Sequence, residues 1–187
     1  MPRYQQLRHR YSSHRCHPPT FDGNAFKYPA PEFIWDFEEY VDRISTNSFV
    51  SYSDLCYMFN NCMRDDALLW MKVFGRRNSN YDTMKAAFLR TYWGSEVQRR
   101  VREDYYYGSY RQRGSTSKTA PYFLGILRRV NNLDSPPSES EFITVISEHF
   151  PSNVQYQIRK LFRAVDVYLL LLGRDRIMNR CVHIEFG

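Results

Sequence analysis

The stretch from Arg64 to Gly94, RDDALLWMKVFGRRNSNYDTMKAAFLRTYWG, allows few folds, because it reads as two amphipathic helices separated by one short polar turn. In its first half Ala67, Trp70, Met71 and Phe74 recur at i, i+3, i+4 and i+7, the helical period, and Asp65 and Asp66 lie near the positive end of the helix dipole. Gly75 ends that helix. In the second half Asn80 or Asp82 can cap a helix on which Met84, Ala87, Phe88 and Thr91 share one face, before Tyr92-Trp93-Gly94 closes it. Two faces this rich in large apolar side chains, joined by so short a turn, must pack on each other and on further helices. A helical bundle is expected.

The flanking sequence supplies those helices. Residues 18 to 31, PPTFDGNAFKYPAP, hold too much Pro and Gly for a helix and read as an extended strap with a turn at Asp22-Gly23. Phe21, Phe26 and Tyr28 give this strap side chains to bury, either over its own core or at a rim between subunits. Pro31 opens a helix running to about Ser45, with Phe33, Phe37, Tyr40, Val41 and Ile44 inward and Glu38, Glu39, Asp42 and Arg43 outward. Ser53 can cap the next, which carries Leu55, Met58, Phe59 and Cys62 at helical spacing. Ser95 opens a further helix with Val97 and Val101 inward and a basic ridge of Arg99, Arg100 and Arg102.

Composition then changes. Gly108 to Thr119, GSYRQRGSTSKT, has no apolar periodicity and is expected to be a hinge. Beyond it Phe123, Ile126, Leu127 and Val130 make one stripe, and Pro136-Pro137 breaks the chain. Ser138 with Glu141 forms a capping-box pattern that starts a helix bearing Phe142, Ile143, Ile146 and Phe150. Pro151 ends it, Val154, Ile158, Leu161, Phe162 and Val165 mark another, and Asp166 can cap a last one bearing Leu169, Leu170, Leu171 and Leu172. The expected architecture is all-α, two small helical bundles joined by a short flexible linker. A basic flexible arm covers 1–17, the first lobe 18–107, the linker 108–119, the second lobe 120–173 and a charged tail 174–187.

Charge is placed unevenly. Residues 1 to 17 carry four Arg and no acid, and 95 to 120 hold six basic against three acidic residues, whereas 18 to 94 hold eight basic against ten acidic. Positive charge on an arm and a connector is what a chain touching a polyanion through its flexible parts would show. The expected RNA contacts are therefore Arg3, Arg8, Arg10 and Arg15 of the arm, Arg99, Arg100 and Arg102 of the ridge, and Arg111 and Arg113 of the connector. Tyr4, Tyr11, Tyr105, Tyr106, Tyr107 and Tyr110 could stack on bases, although a solvated tail and interlobe packing explain the same residues.

Other chemistry is not legible. The cysteines Cys16, Cys56, Cys62 and Cys181 have no paired spacing, and no secretory signal precedes them, so a reducing compartment is expected. The most apolar run, Val165 to Leu172, is interrupted by Asp166 and falls short of the roughly 20 residues that span a bilayer, so no membrane span is expected. His9, His14, Cys16 and His17 fit no familiar zinc spacing, and neither a metal nor any other cofactor is expected. No protease, P-loop or H-E-x-x-H motif is present, and His149 beside Glu148 has no nucleophile that sequence can place near it. The chain is not expected to be an enzyme or to bind a small-molecule substrate.

One resemblance covers most of residues 19 to 172. The lead-in Pro19-Thr20-Phe21-Asp22-Gly23, an acidic aromatic helix, a helix with Ala67 and Trp70 spaced as A-x-x-W, a helix ending Phe88 to Tyr92, and FPSNVQYQIRKLF after an acidic-start helix together resemble a Gag capsid domain. The nearest likeness is to gypsy-type LTR retrotransposons and Arc-like domesticated Gag proteins. The zinc knuckle that continues many of these is not found, since Cys181 and His183 alone cannot build one, and neither is a Q-G-x-x-E signature. The resemblance implies a protein that self-assembles through pentamers and hexamers into a shell or virus-like particle enclosing RNA, in the cytoplasm or released in particles or vesicles. It implies subunit contacts at Phe21, Phe26 and Tyr28 and lobe pairing at Leu169 to Leu172. The alternatives are a non-assembling RNA-binding helical module and a Gag-derived protein-interaction adaptor.

Overall fold

The structure is a computed structural model that describes residues 17–45, 50–74, 80–110, 119–152, 154–156 and 158–159. It is all-α. Seven helices are seen among the described residues: α1 (Ala30–Ile44), α2 (Tyr52–Asn61), α3 (Asp65–Phe74), α4 (Tyr81–Trp93), α5 (Ser95–Tyr107), α6 (Thr119–Val130) and α7 (Glu139–Glu148). The chain divides into two compact units, Met1–Gly94 and Ser95–Gly187.

In the first unit α1 and α2 both pack on α4. The reason is an aromatic core. Phe88 of α4 lies between Phe21, Phe33, Phe59, Trp70 and Tyr92, with ring centroids 5.0, 5.5, 5.2, 5.8 and 5.0 Å away. Phe21, Phe33, Phe37, Phe59 and Phe88 are all fully buried. Each such ring contributes about 1.5–3 kcal/mol by leaving water, and tilted or edge-to-face pairs add about 0.5–1.5 kcal/mol apiece. The strap enters this core through a short parallel bridge: the Phe21 N–H donates to the Cys62 carbonyl (2.9 Å) and the Arg64 N–H donates to the Phe21 carbonyl (2.8 Å).

The strap turns where the sequence places a turn. The Asn24 N–H donates to the Asp22 carboxylate at 2.9 Å, and Gly23 has φ +98°, a left-handed conformation that glycine adopts without strain. A Cβ there would also lie 3.0 Å from the Asp66 Cβ, so glycine lets the strap close on α3. Asp65, the first residue of α3, has φ +46°, and aspartate is among the few side chains that tolerate this region.

Helix starts follow the capping chemistry, with one shift. The Asn80 side chain accepts from the Asp82 and Thr83 N–H groups at 2.8 and 3.4 Å. Ser51, not Ser53, caps α2: its hydroxyl accepts from the Asp54 N–H, and Asp54 returns the bond to the Ser51 N–H. Asp54 three residues on completes the box for Ser51, which no residue does for Ser53. Glu38 stays half-exposed, and its carboxylate accepts from Tyr81 Oη (3.1 Å) and Lys85 Nζ (2.6 Å) of α4.

In the second unit α5 packs on both α6 and α7. The sequence assigns residues 95 to 107 to the first lobe, but Val101 and Tyr105 of α5 are buried with Ile126, Val130, Phe142 and Ile146 of the following helices. The Gln98 side chain adds a polar tie, donating to the Asp134 carboxylate (2.9 Å) and accepting from the Asp134 N–H (3.1 Å). Ser138 caps α7 by accepting from the Glu141 N–H at 3.2 Å, and the Glu141 carboxylate accepts from Tyr106 Oη at 2.8 Å. The expected hinge at 108–119 is corrected in its first residues. Tyr110 N–H donates to the His149 carbonyl at 2.9 Å, and its ring lies on Phe150, so 108–110 belong to the second unit. Residues 111–118 and 160–173 of the expected linker and second lobe, and the tail 174–187, lie outside the described residues.

Phe88→Ala is expected to cost about 3–5 kcal/mol of folding stability, measured by urea titration. Burial pushes the Tyr81 hydroxyl up, with the Glu38 charge adding, and pushes Tyr92 up to about 12. Their contribution is whole below about pH 10, where an unfolded tyrosine ionises, and is lost as pH rises toward 12 and beyond. Urea titrations stepped from pH 8 to 12 should show stability falling as pH rises, with the tyrosine part above about 10, and Tyr92→Phe should reduce the slope there.

Candidate assembly surfaces

The residues expected at a subunit rim do not share one fate. Phe21 is fully buried in its own unit, its backbone fixed on both sides by the bridge, so it cannot present its ring to a neighbour. This corrects its expected place at a subunit contact. Tyr28 is half-buried: its hydroxyl donates to the Asp36 carboxylate and its ring stands edge-on to Phe33. Phe26 is also half-buried, with its N–H donating to Asn24 Oδ1 at 3.1 Å. Leu169, Leu170, Leu171 and Leu172 lie outside the described residues.

The basic ridge is weaker than its composition implies. Arg99 lies between two carboxylates one turn away on either side, Glu96 at 2.6 Å and Glu103, so its charge is matched on its own helix. The Arg99 guanidinium holds the Glu96 carboxyl below its usual range. Arg100 is exposed, and Arg102 is half-buried. Arg3, Arg8, Arg10, Arg15, Arg111 and Arg113 lie outside the described residues.

Among the described helices, α3 of the first unit has the most large apolar side chains exposed. Leu69, Val73 and Phe74 are 60%, 57% and 51% exposed, although Phe74 is in the stripe that sequence assigns to the core. Periodicity reads the buried stripe and passes over Leu69 and Val73. The available signal is the surplus: DDALLWMKVF has more apolar residues than one buried face can use. Tyr57 of α2 and Tyr107 of α5 are also exposed, at 68% and 85%. A shallow cleft of about 520 Å³ beside α1 is lined by Glu38, Val41, Asp42, Leu55 and Tyr81, and Lys85 pairs with the Glu38 at its edge.

His149, which follows Glu148 in the sequence, is buried and fully engaged. Its Nε2 lies 2.8 Å from the Tyr105 carbonyl oxygen, which can only accept, so Nε2 carries the proton. Nδ1 then accepts from Tyr122 Oη at 2.7 Å. Burial pushes the Tyr122 hydroxyl up to about 12. Arg129 pairs with Asp104 nearby on the same two helices. The histidine thus clasps the ends of α5 and α7 to α6, and its two nitrogens are spent on that work. Cys62 is buried, which pushes its thiol up to about 11 and leaves it little thiolate. Among the described residues no group of three His, Cys, Asp or Glu side chains converges.

Gly108 is where this clasp is tightest. A Cβ at 108 would lie 2.3 Å from the Asp104 carbonyl oxygen and 2.8 Å from His149 Cε1. Gly108→Ala is therefore expected to cost about 1–3 kcal/mol through overpacking, read by urea titration, while Tyr122→Phe costs about 1 kcal/mol for one hydrogen bond. No family model matches the chain, and no curated protein or solved structure matches it either.

Proposed function

We propose that the chain is a capsid-type assembly protein of the Gag kind, which self-associates into a shell and gathers RNA through its basic segments. The observation that carries this reading is a convergence. Phe21, Ala67, Trp70, Phe88 and Tyr92, far apart in sequence, are the residues on which the resemblance to Gag capsid domains rests. In the fold they form one cluster: Phe21 to Phe88 is 5.0 Å, Phe21 to Tyr92 5.1 Å, Trp70 to Tyr92 5.9 Å between ring centroids, with Ala67 fully buried where the strap crosses α3. Residues matched only for order and spacing thus have a common structural task, which supports a shared architecture over chance.

The mechanism that follows is additive. Many contacts of modest strength, repeated on one particle, give avidity that no single pair supplies. In this reading the protein works by contact.

The purified chain, with and without single-stranded RNA, is expected to form particles visible by electron microscopy and fast in sedimentation. A strictly monomeric species at high concentration, with RNA present, would sink the assembly reading and leave the non-assembling RNA-binding module or the adaptor. For RNA, reversing Arg3, Arg8, Arg10 and Arg15 together is expected to lower the slope of log affinity against log salt by about three, from roughly 0.7 per phosphate contact on a single strand. Arg99→Ala should leave that slope unchanged. A large effect of Arg99→Ala with none from the arm would reverse the assignment.

A further inference from the structure

The outer face of α3 carries an acid, a base and exposed apolar side chains. On a helix at 100° per residue, Asp65, Leu69, Lys72 and Val73 fall within a sector of about 100°. All four are exposed. Asp65 and Lys72 lie on nearly one line along the helix, about 10.5 Å apart at 1.5 Å per residue, with Leu68 and Leu69 midway between them. An acid at one end, a base at the other and leucines at the centre are self-complementary under a two-fold rotation. Two copies of α3 laid antiparallel, with the axis through the Leu68–Leu69 level, bring Asp65 of each opposite Lys72 of the other. Leu69 then meets Leu68 and Leu69 of the other across the middle, and Val73 lies toward the outer end of the contact.

We infer that α3 pairs antiparallel with α3 of a second copy of this chain, through a leucine centre flanked by two Asp65–Lys72 ion pairs. The inference rests on the assembly reading above and names a contact for it. Three features favour a second copy as the occupant. Aliphatic side chains are exposed side by side here, with Leu69 60% and Val73 57% exposed on a helix whose opposite side buries Ala67, Trp70 and Met71. Neither Asp65 nor Lys72 makes an ion pair among the described residues. Lys27, the cation whose field also reaches Asp65, is held by Asp22 at 2.9 Å. The face is small, so one such pair is weak alone and gains from repetition on a particle.

The register makes the test specific. Sedimentation equilibrium of the full chain is the readout, with circular dichroism confirming that each variant is folded. Leu69→Lys is expected to abolish this association, and Lys72→Glu to weaken it by about tenfold or more, because like charges then face across the contact. Asp65→Lys should weaken it similarly. An equimolar mixture of the Lys72→Glu and Asp65→Lys chains should associate as tightly as the unaltered protein, since both ion pairs are then of opposite sign. Position 65 is left-handed, so a lysine there can unfold the chain. Asp65→Asn combined with Lys72→Glu covers that case: asparagine accepts this backbone, and the double variant should recover most of what Lys72→Glu alone loses. If the unaltered chain associates and Leu69→Lys and Lys72→Glu associate equally well, this contact is wrong and the assembly reading stands. If the folded variants fail to recover on mixing, the antiparallel register is wrong. A chain that never associates removes both.

Discussion

The short bridge between Phe21 and Met63 is the constraint on which the first unit depends. Two backbone hydrogen bonds fix the strap to the turn between α2 and α3, and they place Phe21 against Phe33, Phe88 and Tyr92. Without them the strap would leave open the side of α4 that faces the chain's lead-in, and α3 would lose the register set by Gly23 against Asp66 and Ala67. Because the bridge consumes both the backbone and the ring of Phe21, the strap is internal structure. Leu69 and Val73 of α3 are exposed instead.

The second unit is held differently. Its apolar core of Val101, Tyr105, Ile126, Val130, Phe142 and Ile146 is ordinary, but its helix ends are tied by polar groups: Gln98 to Asp134, Arg129 to Asp104, and His149 to Tyr105 and Tyr122. Buried polar networks are costly unless every member is satisfied, and His149 meets that condition on both nitrogens. Tyr105 Oη does not: it is buried with no hydrogen-bond partner among the described residues. Desolvation pushes that hydroxyl upward and keeps it neutral. The clasp turns a histidine that resembles a catalytic group into a fastener, and it draws residues 108–110 into the unit.

How much of this was legible depends on the kind of residue. The all-α class, the helix starts at Asn80 and Ser138, the turn at Asp22-Gly23 and the core positions Phe33, Phe37, Phe88 and Ile146 follow from local periodicity and capping chemistry. The cap of α2 was misplaced by two residues because Ser51 and Ser53 are both good caps, and only the returning bond from Asp54 separates them. The boundary between the units was misplaced by a whole helix. Gly108 to Thr119 carries every compositional sign of a hinge, while Gly94-Ser95, a single glycine between two helices, carries almost none.

Sequence alone determined that this chain makes helices, where most of them begin, and that Phe33, Phe37, Phe59 and Phe88 face a core, since 3.6-residue periodicity and side-chain caps are written within a few neighbouring positions. Tertiary structure alone decided which helix joins which unit, that Phe21 is core while Leu69 and Val73 are surface, and that Arg99 and His149 are already engaged. Those outcomes turn on partners at long sequence separation, or on which of two apolar faces of one helix is covered. No local pattern carries that information.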